Sequence, residues 1–508
     1  MPSDPHIKIR DSVEWKNFHE NVSTTLAKHI RVSNENPSSS SMSGMRKTAA
    51  RLQSVIHMAR AEGAQLRTVG ARWSFSDITL PDNGWILETD TLGYRFFVSP
   101  NDLEVNTRYS ADELLLVQCG TKISRINEAL ESSSRLRALR TSGASNGQTI
   151  AGAISTGVHG SAVDVGGMES QVVGLQILTG DRNLWIEPAH SPVATRDFAR
   201  KLDAELVRDD LQFAAALVNL GALGIVHAVM LKSTGRYKLN TALKHIPYTQ
   251  LRGAMNSLDF RGSGAPDEAR RPYFFQTIID PHRPETAYAT FRYKEICEPG
   301  YQPDYSRTAQ TETATDLPGL VSRAIELFPG LRNFAVKFIA ESELKEMEDQ
   351  STDFRTPGQI YSATLARDGI ASSGFGIPIN LTDQALRIAQ AAFRELSGAP
   401  IVHTCRFAQK SPGLLSVARF DPTCILDVDG VDTSATQALI RLTARRFEEA
   451  GLPFTMHWGK ENALDATSVR RAYGGDIDRW RAARALILPD SAQQRVFSSP
   501  MTDRCGLT

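Results

Sequence analysis

Residues 142–160, SGASNGQTIAGAISTGVHG, constrain what this chain can fold into more than any other stretch. Glycines at 143, 147, 152, 157 and 160 leave little side-chain bulk, so the segment can neither fill a core nor sustain a long helix. It does allow close approach. Backbone N–H groups can reach a bound phosphate and the Ser and Thr hydroxyls add donors, so the run suits a pyrophosphate cradle as well as a surface loop. On composition alone both readings stand. The spacing matches neither G-x-G-x-x-G nor G-x-x-x-x-G-K-[ST], which argues against a Rossmann or P-loop site.

The same run contains Gly143-Ala144-Ser145-Asn146-Gly147, the G-x-S-x-G pattern of a hydrolase nucleophile elbow with Ser145 as nucleophile. That elbow requires a strand before it and a long helix after it. QTIAGAISTG is a poor helix former, so a serine hydrolase is the weaker alternative.

Around this run the pattern is mixed helix and strand. KTAARLQSVIHMARAE (47–62) carries a helical apolar stripe ended by Gly63, LRTV and WILETD read as strands, and the polar run 33–45 reads as a surface loop. LLVQCG, then a helix-like KISRINEALESS, precede the glycine run. VVGLQILTGDRNLWIEP reads as strand, turn, strand, and LGALGIVHAVMLK (220–232) is one more apolar strand, after which the composition shifts near residue 235. From 236 to 450 strand-like runs (YFFQTIID, ATFRYKE, CILDVDG) alternate with amphipathic helices. The chain of 508 residues exceeds what one core supports, so two or three domains are expected.

Fifty-seven basic residues balance 57 acidic ones, which argues against nucleic acid as a partner. Five cysteines without a C-x-x-C pair fit reduced thiols and a cytoplasmic location. No signal peptide or membrane span is expected, since no stretch approaches 18 uninterrupted apolar residues. No metal site is expected either, because the histidines show no H-x-x-x-H pair and the cysteines do not cluster.

Charged candidates lie late in the chain. Met456-His457-Trp458-Gly459-Lys460 could set positive charge against a developing anion, although for so short a word a solvated loop with a packed Trp is the better reading. Asp427, inside the apolar run CILDVDG, needs a partner if it is buried. Arg406, in VHTCRF, is less distinctive alone.

Four separated words, VGARWSFSD, SGASNGQTIAGAISTGVHGS, LGALGIVHAVMLK and HWGK, agree in order and distance. Together they resemble the vanillyl-alcohol-oxidase (PCMH-type) flavoproteins, with the nearest likeness to the aldonolactone oxidase and alditol oxidase branch. The resemblance is good over 12–235 and 450–500 and loose between. It implies an α+β protein: a PCMH-type FAD-binding domain of two α/β subdomains over 1–235, a substrate domain over 236–450 with an antiparallel sheet flanked by helices, and a C-terminal segment, 451–508, packing back on the FAD site.

By the same resemblance Gly70, Ala71, Arg72, Trp73 and Ser74 form a first flavin loop. Ser142, Gly143, Gly147, Thr149, Gly152, Ser155, Thr156, His159 and Gly160 form a second, with Ile225 and Lys460 also beside the cofactor. Relatives that tether flavin covalently carry a histidine where Trp73 stands, and indole lacks the nucleophilic lone pair for that bond, so FAD is expected to be non-covalent. Lys460 would lie near flavin N1 and the C2 oxygen, Arg406 would orient the substrate oxygen, and Asp427 or His457 would take the hydroxyl proton. Thr404 falls where alditol-oxidising relatives have a glutamate, and Asp427 roughly where they have a histidine.

The implied activity is oxidation of a CH–OH group of a sugar-derived or other polar alcohol or lactone by hydride transfer to flavin N5. The small Gly143 favours O2 as acceptor, giving H2O2. The alternative on the same fold is a dehydrogenase or natural-product tailoring enzyme with a larger substrate and another acceptor.

Overall fold

The computed structural model describes residues 4–143, 145–305, 354–361, 368–396 and 398–508. Ala144 of the G-x-S-x-G pattern, and 306–353 of the middle segment, lie outside the described residues. The first sheet is ordered Ile7–Lys16, Ser23–Val32, Trp85–Glu88, Leu66–Val69, with an antiparallel pair at its start and parallel pairs after it. Parallel neighbours need a crossover, supplied here by the helix Met42–Ala61. This helix begins inside the polar run expected to be loop, because the Ser41 hydroxyl caps it by accepting from Gly44 N at 3.0 Å. Its buried stripe includes Leu52, Val55, Ile56 and Ala59.

A six-stranded sheet follows, ordered Glu205–Arg208, Asn183–Glu187, Val172–Leu178, Ile225–Lys232, Leu114–Gln118, Arg95–Phe97. Every residue of Val172–Leu178 and of Leu114–Gln118 is buried, which explains their unbroken apolar runs. The glycine-rich run does form a helix, Ile150–Ser155, but one of only six residues. Ser145 is separated from it by Asn146–Thr149, and no strand leads directly into the serine, so the geometry of a nucleophile elbow is missing here.

The third large sheet has seven antiparallel strands: Tyr237–Pro247, Thr286–Ile296, Phe274–Ile279, Ile401–Ala408, Thr423–Val431, Ile370–Pro378 and Thr455–Met456. Directly paired residues share a face. One face carries Phe275, Phe407, Cys405 and Leu426 into the core with Leu386, Phe393 and Leu439 of the helices Thr382–Glu395 and Ser434–Glu449. Phe275 stacks between Phe291 and Phe407, with ring centroids 5.2 and 5.0 Å away. The opposite face carries Gln276 opposite Arg406, Thr404 opposite Asp427, Val402 opposite Asp429, and Gly374 and Ser372 opposite these two aspartates in turn.

The C-terminal helices return to the first half of the chain. Trp480 Nε1 donates to Val218 O at 3.3 Å and Arg484 Nε to Ala222 O at 3.1 Å. Arg67, buried without a carboxylate, joins three regions through carbonyls: Ile78 at 2.8 Å, Leu220 at 2.6 Å and Phe497 at 3.4 Å.

A second buried polar knot lies at the end of the helix Ile123–Glu131. The Glu131 carboxylate accepts from Gly358 N at 2.9 Å and from the Tyr305 hydroxyl, and burial pushes its pKa up to about 7. A carboxyl raised above its unfolded value of 4.5 binds its proton more tightly when folded, so its stabilising contribution is present below 4.5 and is lost as pH rises through about 7. Relative to Glu131→Gln, the wild-type protein should therefore lose roughly 3 kcal/mol between those limits. Urea unfolding at a series of pH values measures this; parallel profiles for the two proteins would contradict it.

Candidate active site

Loop 70–77 follows the strand Leu66–Val69 and lies against the glycine-rich loop. A Cβ on Gly70 would stand 1.9 Å from Thr149 Oγ1, and one on Gly147 only 2.2 Å from Cη2 of Trp73. Both glycines are there because the two loops touch. Trp73, half-buried, packs over Gly147 and beside Phe18, whose ring centroid is 5.1 Å away. Arg72 is exposed, with a φ of 62° and its NH1 3.6 Å from Glu88.

Within the second loop, buried Ser142 accepts from Asn127 Nδ2 at 3.0 Å, Gly143 has a φ of 81°, and Gly160 leaves no room for a Cβ against Thr141 Oγ1, 2.5 Å away. The carbonyl of Ser155 accepts from Leu220 N at 3.1 Å, and Thr156 donates to Gly152 O at 3.0 Å. Two buried amide oxygens here, Asn146 Oδ1 and Gln148 Oε1, have no hydrogen-bond partner among the described residues. Gly152 is exposed, and Ile225 sits fully buried opposite Leu178, in the hydrophobic core rather than at the charged cluster described next.

The HWGK turn is no solvated loop. Trp458 is fully buried and donates to Leu415 O at 2.8 Å. Phe75 N donates to Gly459 O at 2.8 Å and Ser76 Oγ to Trp458 O at 2.6 Å, so this turn is stitched to loop 70–77. It is equally tied to the seven-stranded sheet, through His457 N to Gly374 O at 2.9 Å and Glu461 N to Ser372 O at 2.8 Å.

The stitching delivers Lys460 to the sheet face. Its Nζ lies 2.7 Å from Asp427 Oδ1, while Arg406 NH1 donates to Asp427 Oδ2 at 2.9 Å. The Asp427 side chain is 0% exposed, and burial pushes its pKa up while Lys460 and Arg406 pull it back. Asp429 is 3.7 Å from Lys460 and accepts from Ser372 Oγ at 2.5 Å; against the cost of burial the two cations hold its carboxyl below the usual range.

His159 and His457 stand beside this cluster, with ring centroids 5.5 Å apart. Burial, assisted by Arg406 and Lys460, pushes His159 down to about 3, and burial, with Lys460 and Arg406 nearby, pushes His457 well below its ordinary value, so both are neutral. His457 Nδ1 accepts from Gly459 N at 3.1 Å, which assigns its proton to Nε2; His159 Nδ1 faces Gly160 O at 3.1 Å and carries the proton there.

Lys460, Asp427 and Arg406 are therefore brought together, with His457 and His159 adjacent. Four contributors were missed by the sequence reading. Asn17 and Asn21 hold the first loop by donating to Ser74 O at 2.9 Å and Phe75 O at 2.8 Å, and Asn21 also reaches Glu461 Oε1 at 3.0 Å. Gln276 accepts from Arg406 Nε at 3.2 Å. Asp429 had a signal: the D-V-D alternation in CILDVDG puts it on the face of Asp427.

A profile described as an FAD binding domain matches residues 46–184. The D-arabinono-1,4-lactone oxidase of Yarrowia lipolytica is 27% identical over 201 residues, 39% of this chain and 33% of that protein. The chain thus spans about a third of the fungal lactone oxidases it matches. The L-gulono-1,4-lactone dehydrogenase of Mycobacterium tuberculosis is 24% identical over 460 residues, 90% of this chain and 93% of that protein. Among solved structures, a cholesterol oxidase from B. sterolicum superposes with a TM-score of 0.69 at 15% identity over 99% of each chain. A xylooligosaccharide oxidase from Myceliophthora thermophila gives 0.58 at 12%, over 96% and 93%.

The shared carboxylate of Asp427 can be weighed by substitution. Asp427→Asn removes the carboxylate that both cations contact, leaving Asp429, 3.7 Å from Lys460, as the remaining counter-charge of the cluster, and should cost about 3–5 kcal/mol. Adding Lys460→Met should recover part of that loss, a coupling of about 1–3 kcal/mol in a denaturation cycle. Additive losses would mean that the 2.7 Å contact carries no energy.

Proposed function

We propose that this chain, whose residues 46–184 are an FAD-binding domain of the PCMH type, is an oxidoreductase that oxidises a CH–OH group of a polar, sugar-derived alcohol or lactone. The observation that carries the reading is the stitching of the Lys460 turn to loop 70–77, which sets a partly buried cation pair, Arg406 and Lys460, beside the loops of an FAD-binding domain. Relatives over that domain are named as lactone oxidases, and one relative over nearly the whole chain as a lactone dehydrogenase. We place the division between cofactor and substrate parts near 235, with 451–508 returning to the cofactor side, and the cysteine pattern supports a cytoplasmic location. Among the described residues, no helix is long and apolar enough to cross a membrane.

FAD, when bound, supplies the two-electron acceptor for the carbinol C–H bond. The residues present suit it: within the FAD-binding domain the buried amide oxygens of Asn146 and Gln148, without a partner among the described residues, could accept from hydroxyl or amino donors. We assign Gly70–Ser74, the run from Ser142 to Gly160, and Lys460 to holding it. Trp73 at the loop junction, with no nucleophilic nitrogen, supports a non-covalent cofactor.

Arg406 and Lys460, immobilised by Asp427, would present positive charge to the carbinol oxygen as it gives up its proton, which favours the alkoxide from which the hydride leaves. Asp427 has both oxygens engaged and the His457 Nδ1 lone pair is taken by Gly459 N, so neither receives the proton-accepting role that the resemblance implied. Gly143 supports O2 as acceptor by its size, although its φ of 81° and the 2.9 Å approach of Val158 to an added Cβ give glycine a backbone reason as well. The oxygen question is therefore best asked of the wild-type protein.

Purified protein should be yellow, with a band near ~450 nm. Acid precipitation should leave the flavin in the supernatant and a colourless pellet. Anaerobic addition of polyols or aldonolactones should bleach the band and air should restore it. A coloured pellet would refute the non-covalent assignment, bleaching that air does not reverse would favour a dehydrogenase, and no bleaching by any polyol or lactone would discard the substrate class.

A further inference from the structure

We infer that Asp429 is the specificity-determining residue of this site, gripping substrate hydroxyls, and that the site accepts uncharged hydroxylated molecules while rejecting those bearing a carboxylate. The inference rests on the reading of the site as one that holds FAD and oxidises a carbinol.

Position is the first observation. Asp429 lies two residues beyond Asp427 on Thr423–Val431, hence on the same face, flanked across the sheet by Val402 and Ser372. Accessibility is the second. Asp427 is 0% exposed with both oxygens engaged by cations, whereas the side chain of Asp429 is 22% exposed, the most open of the four charged groups ahead of Lys460 at 15% and Arg406 at 12%.

Chemistry is the third. An ionised carboxylate only accepts hydrogen bonds, so what it recognises must bring donors, and a run of hydroxyls does so. Ser372 Oγ at 2.5 Å and Lys460 Nζ at 3.7 Å both sit against Oδ1 of Asp429, which orients the group. Across the sheet its neighbour on one side is the apolar Val402, while the Thr404 hydroxyl joins that of Ser372 in orienting the carboxylate.

Charge is the fourth. Arg406 and Lys460 are matched one for one by Asp427 and Asp429, so the cluster is neutral as built. A substrate carboxylate would add a third negative charge with no free cation in the cluster to meet it, and unpaired buried charge is costly. A neutral polyol or lactone meets no such barrier.

The test uses FAD-loaded protein, with sorbitol or a neutral aldonolactone as the uncharged probe and gluconate as the carboxylate probe. Wild-type protein should turn over the uncharged probe and show no spectral perturbation with gluconate. In Asp429→Asn, KM for the uncharged probe should rise about 10- to 100-fold with a smaller fall in kcat, and gluconate should now perturb the flavin spectrum. Asp429→Glu should restore KM in part and exclude gluconate again.

If Asp429→Asn fails to retain flavin, Ser372→Ala frees the carboxylate from its hydroxyl and should raise KM in the same direction. An unchanged KM in whichever variant is measured, or gluconate binding as well to wild type as to Asp429→Asn, would overturn the inference. Wild-type protein that oxidises no uncharged probe would instead remove the functional reading, and the gluconate comparison would still decide the charge argument.

Discussion

A carboxylate removed wholly from water must be paired, and Asp427 is paired twice. Its partners come from an adjacent strand, 21 residues before it, and from the C-terminal turn, 33 residues after it. That single requirement locks the strands Ile401–Ala408 and Thr423–Val431 to the turn at 457–461. Breaking either contact leaves the buried carboxylate with a single cation, and such pairs are poor sources of net stability but strong determinants of position. The turn is in turn latched to loop 70–77, so the cation pair and the FAD-binding domain are held by one continuous set of hydrogen bonds.

Glycine plays the complementary part. The contacts of Gly70 with Thr149 and of Gly147 with Trp73 are closer than any Cβ allows, so the two loops approach only because both positions lack a side chain. The same absence of bulk spoils helix formation, and Ile150–Ser155 ends after six residues. Close contact between loops and a strong helix ask opposite things of a sequence, and here close contact prevailed. The neutral histidines follow from their location. His159 and His457 sit next to two cations in a buried setting, where a third positive charge is unfavourable.

Much of this was legible. Runs of apolar residues announced the buried strands, and strand-like runs and helical stripes announced the seven-stranded sheet and its covering helices. Asp427 announced its need for a partner by standing in an apolar run. Other features carried no local signal. Asn17 and Asn21 look like ordinary turn residues, and their contacts to Ser74, Phe75 and Glu461 cross sequence separations of 57, 54 and 440 residues. The HWGK turn reads as surface until Leu415, Phe75 and Ser76 are seen to bury it. The start of Met42–Ala61 was misplaced because a capping serine within a serine-rich run is indistinguishable from its neighbours.

By itself the sequence determined which segments are strand, helix or close-approach loop, since these depend on periodicity and on the presence or absence of a Cβ, properties that act over a few residues. Which charges face one another was decided only by the tertiary structure. The register of the seven-stranded sheet sets Thr404 opposite Asp427 and Ser372 opposite Asp429, and the return of the C-terminal turn sets Lys460 between the two aspartates. Coulombic and hydrogen-bond energies depend on distances of a few ångströms between residues far apart in the chain, and only the folded chain sets those distances.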